Sequence, residues 1–129
     1  MTGKSKITRK WLVEQDACQE GITWFDEHFP KGGAYQNVLD ALALENRIDY
    51  AQWLIDHAGA TKEIRKIEGD LALEHSFFFS GSLQVTGRIA VHFLAAGTGI
   101  KAGTGIKAGT GIKAGWGIEA GTGIEAGTG

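Results

Sequence analysis

The stretch AGTGIKAGTGIKAGTGIKAGWGIEAGTGIEAGTG, from Ala96 to Gly129, repeats one six-residue phrase to its end. In each copy, Ile and Ala point to one side of a short strand, and the Lys or Glu between them points to the other. The glycines are expected to form corners, since they tolerate positive φ. Stacked coils would align Ile and Ala into one narrow core. The repeat therefore predicts a β-solenoid.

Less regular copies of the phrase precede the regular ones. Four apolar pairs start at Leu71, and six more follow a one-residue deletion near Phe93. The ten predicted units carry the pairs Leu71/Leu73, Phe77/Phe79, Leu83/Val85, Ile89/Val91, Leu94/Ala96, Ile100/Ala102, Ile106/Ala108, Ile112/Ala114, Ile118/Ala120 and Ile124/Ala126. Self-similarity at a short, fixed period is typical of solenoids.

The charges of the repeat favour one coil size. With three units to a turn, Lys101 would lie beside Glu119 and Lys107 beside Glu125. With two units to a turn, Lys101 would lie beside Lys113. Opposite charges on neighbouring strands stabilise a sheet by a few tenths of a kcal/mol, and like charges destabilise it similarly. The 18-residue coil is favoured over the 12-residue coil, and handedness stays open.

The first sixty residues show helical periodicity instead. Thr8 and Asp16 are predicted to cap two helices, the second with Gln19 in a capping box. A third helix is predicted from Tyr35 to Asn46, and Asp49 is predicted to cap a fourth. The predicted fold class is α+β, with a helical module in residues 1–60 that caps one end of a solenoid in residues 61–129.

Composition excludes several functional classes. The chain has 13 basic and 15 acidic residues, so it lacks the basic surface typical of a nucleic-acid-binding protein. No apolar run is long enough to span a bilayer, and the start MTGKSKITRK has no apolar secretory segment. A single cysteine, Cys18, fits a reducing compartment. We therefore expect a cytoplasmic protein without a membrane partner.

No residue pattern points to catalysis, a cofactor or a metal. Cys18 shares a predicted helix face with Ile22 and Phe25, so we interpret it as a small core residue. The histidines lack the spacing of zinc ligands; they are His28, His57, His75 and His92. No catalytic, cofactor-binding or metal-ligating residue is predicted, and we expect a protein that is not an enzyme.

The chain shows three resemblances to other proteins, two over parts of its length and one over most of it. Residues 38–61, containing LDALALENRIDYAQWLIDHAGAT, resemble the helix pair of an ankyrin repeat, without a second copy. The repeats are similar to hexapeptide β-helices and to the cytoskeletal bactofilins. A group of uncharacterised bacterial and prophage-type proteins is similar over most of the chain, but the likeness implies no activity. The residues that carry this likeness are Trp11, Leu12, Ala17, Cys18, Gly21, Trp24, Phe25, Phe29 and AGWGIEAG at 114–121.

The leading interpretation is a binding or assembly protein that uses its solenoid for self-association or partner recognition. A homodimer is expected in which the C-terminal coils of two chains stack or lie together, because no plug or helix covers the last coil. Residues from about Ile112 to Gly129 are expected at the contact, with Trp116 near its rim. The candidate self-association residues are Ile112, Trp116, Ile118 and Ile124. The candidate partner-binding residues are Lys101, Lys107, Lys113 and Trp116. The alternatives are a bactofilin-like polymer, and a phage or mobile-element factor that binds and inhibits a host protein.

Overall fold

The computed structural model describes residues 6–127, which form a helical module followed by a β-solenoid of about four turns. The α+β class and the order of the two parts are as predicted. The elements in chain order are β1 (Lys6–Ile7), α1 (Arg9–Glu14), α2 (Gln19–His28), β2 (Gly33–Ala34), α3 (Tyr35–Leu44), α4 (Ile48–Ala58), β3 (Ile64–Ile67), β4 (Leu71–Ala72), β5 (Phe77–Phe79), β6 (Ser82–Val85), β7 (Ile89–Ala96), β8 (Gly99–Ala102), β9 (Gly105–Ala114), β10 (Gly117–Ala120) and β11 (Gly123–Ala126).

One of the three predicted helix caps is confirmed. The Thr8 side chain accepts a hydrogen bond from the Trp11 backbone N–H at 3.1 Å. The prediction for Asp16 is wrong, because Asp16 has a φ of 59° and makes the turn before α2, whose cap is Cys18. The prediction for Asp49 is also wrong, because α4 begins earlier and places Asp49 inside its first turn. There its negative charge faces the positive end of the helix.

The helical module consists of two helix hairpins with the same layout. The turn between α1 and α2 contains Asp16 at a φ of 59°, and the turn between α3 and α4 contains Asn46 at a φ of 53°. The second helix of each hairpin stacks a tryptophan on a histidine one turn later, with ring centroids about 4 Å apart; the pairs are Trp24/His28 at 4.1 Å and Trp53/His57 at 4.0 Å. The short strand β1 precedes the first hairpin and β2 precedes the second, and the two strands pair in antiparallel orientation. The helix pair predicted in residues 38–61 therefore has a structural second copy.

The solenoid strands form three parallel faces, which we call the first, second and third faces. The first face contains β3, β6, β8 and β10; the second contains β4, the first halves of β7 and β9, and β11; the third contains β5 and the second halves of β7 and β9. In the C-terminal coils Glu119 lies beside Lys101 and Glu125 lies beside Lys107. This register corresponds to the 18-residue coil that the charges favour.

One coil is a residue shorter than its neighbours. Ile89 lies beside Ile106, whereas Leu94 lies beside Ile112, and the register shifts between Val91 and Phe93. The deletion predicted near Phe93 is absorbed there as a β-bulge. At the other end, β3 pairs with β6, so the solenoid begins one strand before the first of the ten predicted units.

The glycines of the regular repeats have a different role from the one expected. Positive φ values among the described glycines occur at Gly32, Gly59 and Gly69, which all precede the regular repeats. Gly59 ends α4 with a φ of 88°, but the expectation of positive φ at the repeat corners is wrong. The corners need glycine because consecutive coils approach closely. A Cβ atom on Gly103 would lie 1.9 Å from the Thr86 carbonyl oxygen.

The helical module packs along the third face and against the edge of β5. The outward position of this face carries Phe78, then Ala95, then Lys113 in successive coils. Phe78 and Ala95 are buried in the core of the module, and Phe78 meets Phe93 edge to face, with centroids 6.5 Å apart. Lys113 Nζ lies 3.6 Å from Asp56 Oδ1 at the end of α4. The module thus covers the third face at Phe78 and Ala95 and reaches the next coil through this ion pair.

Side-chain amides from the module pair with the free edge of β5. The Gln36 amide donates to the Phe78 carbonyl at 2.7 Å and accepts from the Ser80 N–H at 3.2 Å. Asn46 Oδ1 accepts from the Ser76 N–H and from the Ser76 hydroxyl, both at 2.8 Å. These bonds satisfy the edge of the first strand on the third face in the way that a neighbouring strand would.

Replacing Gln36 with leucine is expected to destabilise the protein by about 2 kcal/mol, because both backbone groups of β5 would lose their partner. The loss should appear as a lower midpoint of chemical unfolding. Asn37 is an exposed neighbour on the same helix, so Asn37→Leu is the matched control. Equal midpoints for the two variants would contradict a structural role for the Gln36 amide.

Candidate functional site

The first face is one of two solenoid faces that contain four strands. Its four strands carry an outward row of Lys66, Gln84, Lys101 and Glu119, which alternates with inward apolar residues. Leu83, one of these inward residues, is 1% exposed. The outward row therefore lies on one parallel sheet, where the pairing of the strands gives the polar side chains a regular spacing.

Trp116 lies at the corner that leads into the first face. Its side chain is 87% exposed, the largest value among the exposed large apolar residues described. The backbone is fixed, because the Trp116 N–H donates to the Thr98 carbonyl at 2.7 Å. A shallow groove beside the indole is lined by Gln84, Lys101 and Glu119. An exposed aromatic ring flanked by both signs of charge is chemistry suited to protein recognition.

The four candidate self-association residues have different environments. Ile112 and Ile118 point inward and are half-buried against the solenoid core. Ile124, on the second face, is 49% exposed. Trp116 is thus the most accessible of the four. Thr128 and Gly129, which belong to the predicted contact, lie outside the described residues.

The three candidate partner-binding lysines do not form one surface. Lys101 lies on the first face, Lys107 on the second and Lys113 on the third, where it pairs with Asp56. A six-residue unit advances the chain by one face, so consecutive copies of the same lysine point in different directions. Among these lysines, only Lys101 lies beside Trp116 in the groove of the first face.

Arg65 at the start of the solenoid was missed by the sequence reasoning. It lies beside the inward Leu83 in the register, and its own side chain is exposed at the edge of the first coil. Its guanidinium carbon lies 5.0 Å from the centroid of the Phe79 ring. The neighbouring Ile64 is 57% exposed. The available signal was a charged residue at an apolar position of the phrase, and such residues protect free strand edges.

Cys18 is exposed, so its interpretation as a core residue is wrong. The reason is that Cys18 precedes the first residue of α2 and caps the helix, whereas Ile22 and Phe25, later on the helix, are buried. Cys18 contributes instead to the wall of a cavity between the two hairpins.

Trp24 and His28 meet Glu45 in a polar cluster on the helical module. The Trp24 indole N–H donates to Glu45 Oε1 at 3.0 Å, and His28 Nε2 lies 2.9 Å from Glu45 Oε2. The Trp24 hydrogen bond, together with His28 and Arg47, holds the pKa of the Glu45 carboxyl below its usual range. The cluster ties α2 to the end of α3. Within residues 6–127, no three His, Cys, Asp or Glu side chains are grouped to hold a metal ion.

Residues 1–61 match a protein family whose model describes the YdhT N-terminal domain. The match covers the helical module and less than half of the chain. It fits the helical N-terminal part of the resemblance to uncharacterised bacterial proteins. No curated protein and no solved structure matches the chain. In the part of the chain that the structure describes, no helix has the length and apolar character needed to cross a membrane.

Proposed function

We propose that this is a non-enzymatic, cytoplasmic binding and assembly protein whose solenoid associates with a second copy through the first face and Trp116. The observation that carries the proposal is the 87% exposure of Trp116 on a rigid corner beside a face that the outward row leaves flat and polar. Tryptophan is enriched among the residues that dominate binding energy, because it buries a large area at low entropic cost.

The charges of the first face are complementary to themselves. Lys101 and Glu119 lie on adjacent strands. In a two-fold symmetric contact, every pair of residues across the interface occurs twice, with the two chains exchanged. Lys101 of one copy can therefore face Glu119 of the other, while Glu119 of the first copy faces Lys101 of the second. Such rim charges orient the encounter, while the aromatic residue contributes most of the affinity. The chemistry therefore supports a homodimer with the two Trp116 side chains near its centre and the charges at its rim.

Arg65 favours a closed dimer over the bactofilin-like polymer. End-to-end growth requires a stackable strand edge at both ends of the solenoid. At the N-terminal end, a second coil stacked on β3 would bury the Arg65 guanidinium at an inward position, and burying an unpaired charge is costly. The mobile-element hypothesis rests on the sequence resemblance alone.

Trp116→Ser is expected to weaken the dimer at least about tenfold, since the loss of a central aromatic anchor typically costs 2 kcal/mol or more. Sedimentation equilibrium over a range of concentrations measures the dissociation constant. Leu44→Ser, which removes an apolar side chain 66% exposed on the helical module, is the matched control and should leave the constant unchanged.

A charge exchange tests the orientation of the contact. Lys101→Glu alone should weaken the dimer, and adding Glu119→Lys should restore it, because the exchanged pair is again complementary across a two-fold axis. Melting temperatures recorded in parallel separate this effect from the pairing within one chain. A full-length protein that stays monomeric at high micromolar concentration would end the dimer proposal.

A further inference from the structure

A cavity of about 360 Å³ lies between the two hairpins of the helical module. All four helices contribute to its wall. The wall contains Leu12 from α1, Trp24 from α2, Val38 from α3 and Trp53 from α4. The volume falls in the range of sites for small molecules, which are concave and mostly apolar with a few polar groups.

The inner wall of the cavity belongs to the core of the module. Leu12, Phe25, Val38 and Leu54 line it and are each less than a tenth exposed. Gly21 leaves room beside them, since a Cβ atom there would lie 3.9 Å from the Tyr50 ring and 3.4 Å from Cys18 Sγ. A concave wall of this kind, mostly apolar with a few polar groups, is suited to hold the apolar body of a small molecule.

The charged groups of the lining are both carboxylates, Asp16 and Asp49. Asp49 is already engaged, because Arg47 Nη2 lies 3.3 Å from its Oδ2 atom. The same guanidinium lies 3.8 Å from the centroid of the Tyr50 ring. The rim of the cavity thus already binds one cation between a carboxylate and an aromatic face, which is the chemistry of cation recognition.

Asp16 is the carboxylate that remains available at the cavity. No hydrogen bond or ion pair joins its side chain to another residue within the described part of the chain. The surrounding electrostatic field has the same sign, because residues 6–61 contain nine acidic and five basic side chains. Such a field raises the local concentration of cations.

We infer that this cavity binds a small molecule with an apolar body of about one fused ring system and a cationic group. The apolar body lies among Trp24, Trp53 and the core residues of the inner wall, and the cation lies beside Asp16. This inference concerns the helical module and does not depend on association through the solenoid.

Three probes with the same apolar body and different charge test the inference: naphthylethylammonium, naphthylethanol and naphthylacetate. Each is titrated into the full chain while NMR follows the indole N–H resonances of its tryptophans. The ammonium compound should shift the Trp24 and Trp53 resonances and leave Trp116 unchanged, with an affinity at least about fivefold above that of the acetate. Equal affinities for the three probes would overturn the cationic class, and unchanged Trp24 and Trp53 resonances would overturn the site.

Two variants locate the bound molecule. Asp16→Asn should weaken naphthylethylammonium about two- to fivefold and leave naphthylethanol unchanged. Gly21→Leu places an apolar side chain in the cavity and should weaken every probe at least about tenfold. Thr23→Leu, on the exposed side of the same helix, is the matched control. Gly21→Leu binding the ammonium probe as the wild type does would overturn the site.

The exposed thiol of Cys18 gives a second readout at the same place. Cys18 is the single cysteine of the chain and lines the cavity, so alkylation by iodoacetamide reports on this position alone. A saturating amount of naphthylethylammonium should slow alkylation several-fold in the wild type. An alkylation rate that does not change with the probe would place the molecule elsewhere and overturn the inference.

Discussion

Ile106→Asp is expected to destabilise the protein by about 4 kcal/mol and to unfold the C-terminal coils, because it places an unpaired carboxylate in an apolar core. The Ile106 side chain is 3% exposed and lies between Ile89 and Ile124 in a ladder of the second face. Ile112, which the sequence also predicts to be buried, is half-buried, so the larger effect is expected at Ile106.

The neighbouring residue provides the control. Lys107→Gln changes a side chain on the opposite side of the same strand, which is exposed and lies beside Glu125. Its cost should stay within about 0.5 kcal/mol, as for most surface substitutions. Urea unfolding followed by far-UV circular dichroism measures both variants. Comparable losses for Ile106→Asp and Lys107→Gln would refute the inward and outward alternation of the strands.

Gly103→Ala is expected to have the next largest effect after Ile106→Asp and to lower the free energy of unfolding by about 3 kcal/mol. The added Cβ atom would lie 1.9 Å from the Thr86 carbonyl oxygen and 2.8 Å from the carbonyl carbon, both of which are backbone atoms that cannot move aside singly. The coils would have to separate locally, and overpacking of this kind typically costs 1–3 kcal/mol, occasionally more.

The same substitution at Gly117 is the matched control. A Cβ atom on Gly117 would meet nothing within 4 Å, so Gly117→Ala should change the stability by no more than about 0.5 kcal/mol. Thermal melting of the two single variants decides between two roles for glycine. Similar melting temperatures for the two variants would mean that the close contact between coils is not the reason why position 103 requires glycine.

The two glycines differ although the phrase treats them alike. In the sequence both flank a corner, and flexibility is a sufficient explanation for each. The structure separates them, because Gly103, after an inward alanine, lies against the backbone of the coil before it, whereas Gly117, before an isoleucine, meets no atom within 4 Å. The difference depends on an atom 17 residues earlier in the chain, Thr86 O, and no local pattern reports that distance.

The helical module shows the same limit. Periodicity identified its helices, but the caps at Asp16 and Asp49 were wrong because residues in turns with positive φ shift the start of the next helix. The position of Cys18 followed from that shift. The cavity of the helical module could not be predicted, since it arises where the two hairpins meet.

The sequence by itself determined the solenoid and the deletion near Phe93, and its charges favoured the 18-residue coil over the 12-residue coil. These follow from alternation and from charges at a fixed period, which act between residues whose separation is constant. Only the tertiary structure decided that the helices cover the third face and that Trp116 and Lys101 share a groove while Lys107 and Lys113 point elsewhere. The physical reason is that a repeat fixes what each residue meets within the coil. Which of three equivalent faces the helices cover depends on single departures from the repeat, such as Phe78, whose ring is buried in the helical core.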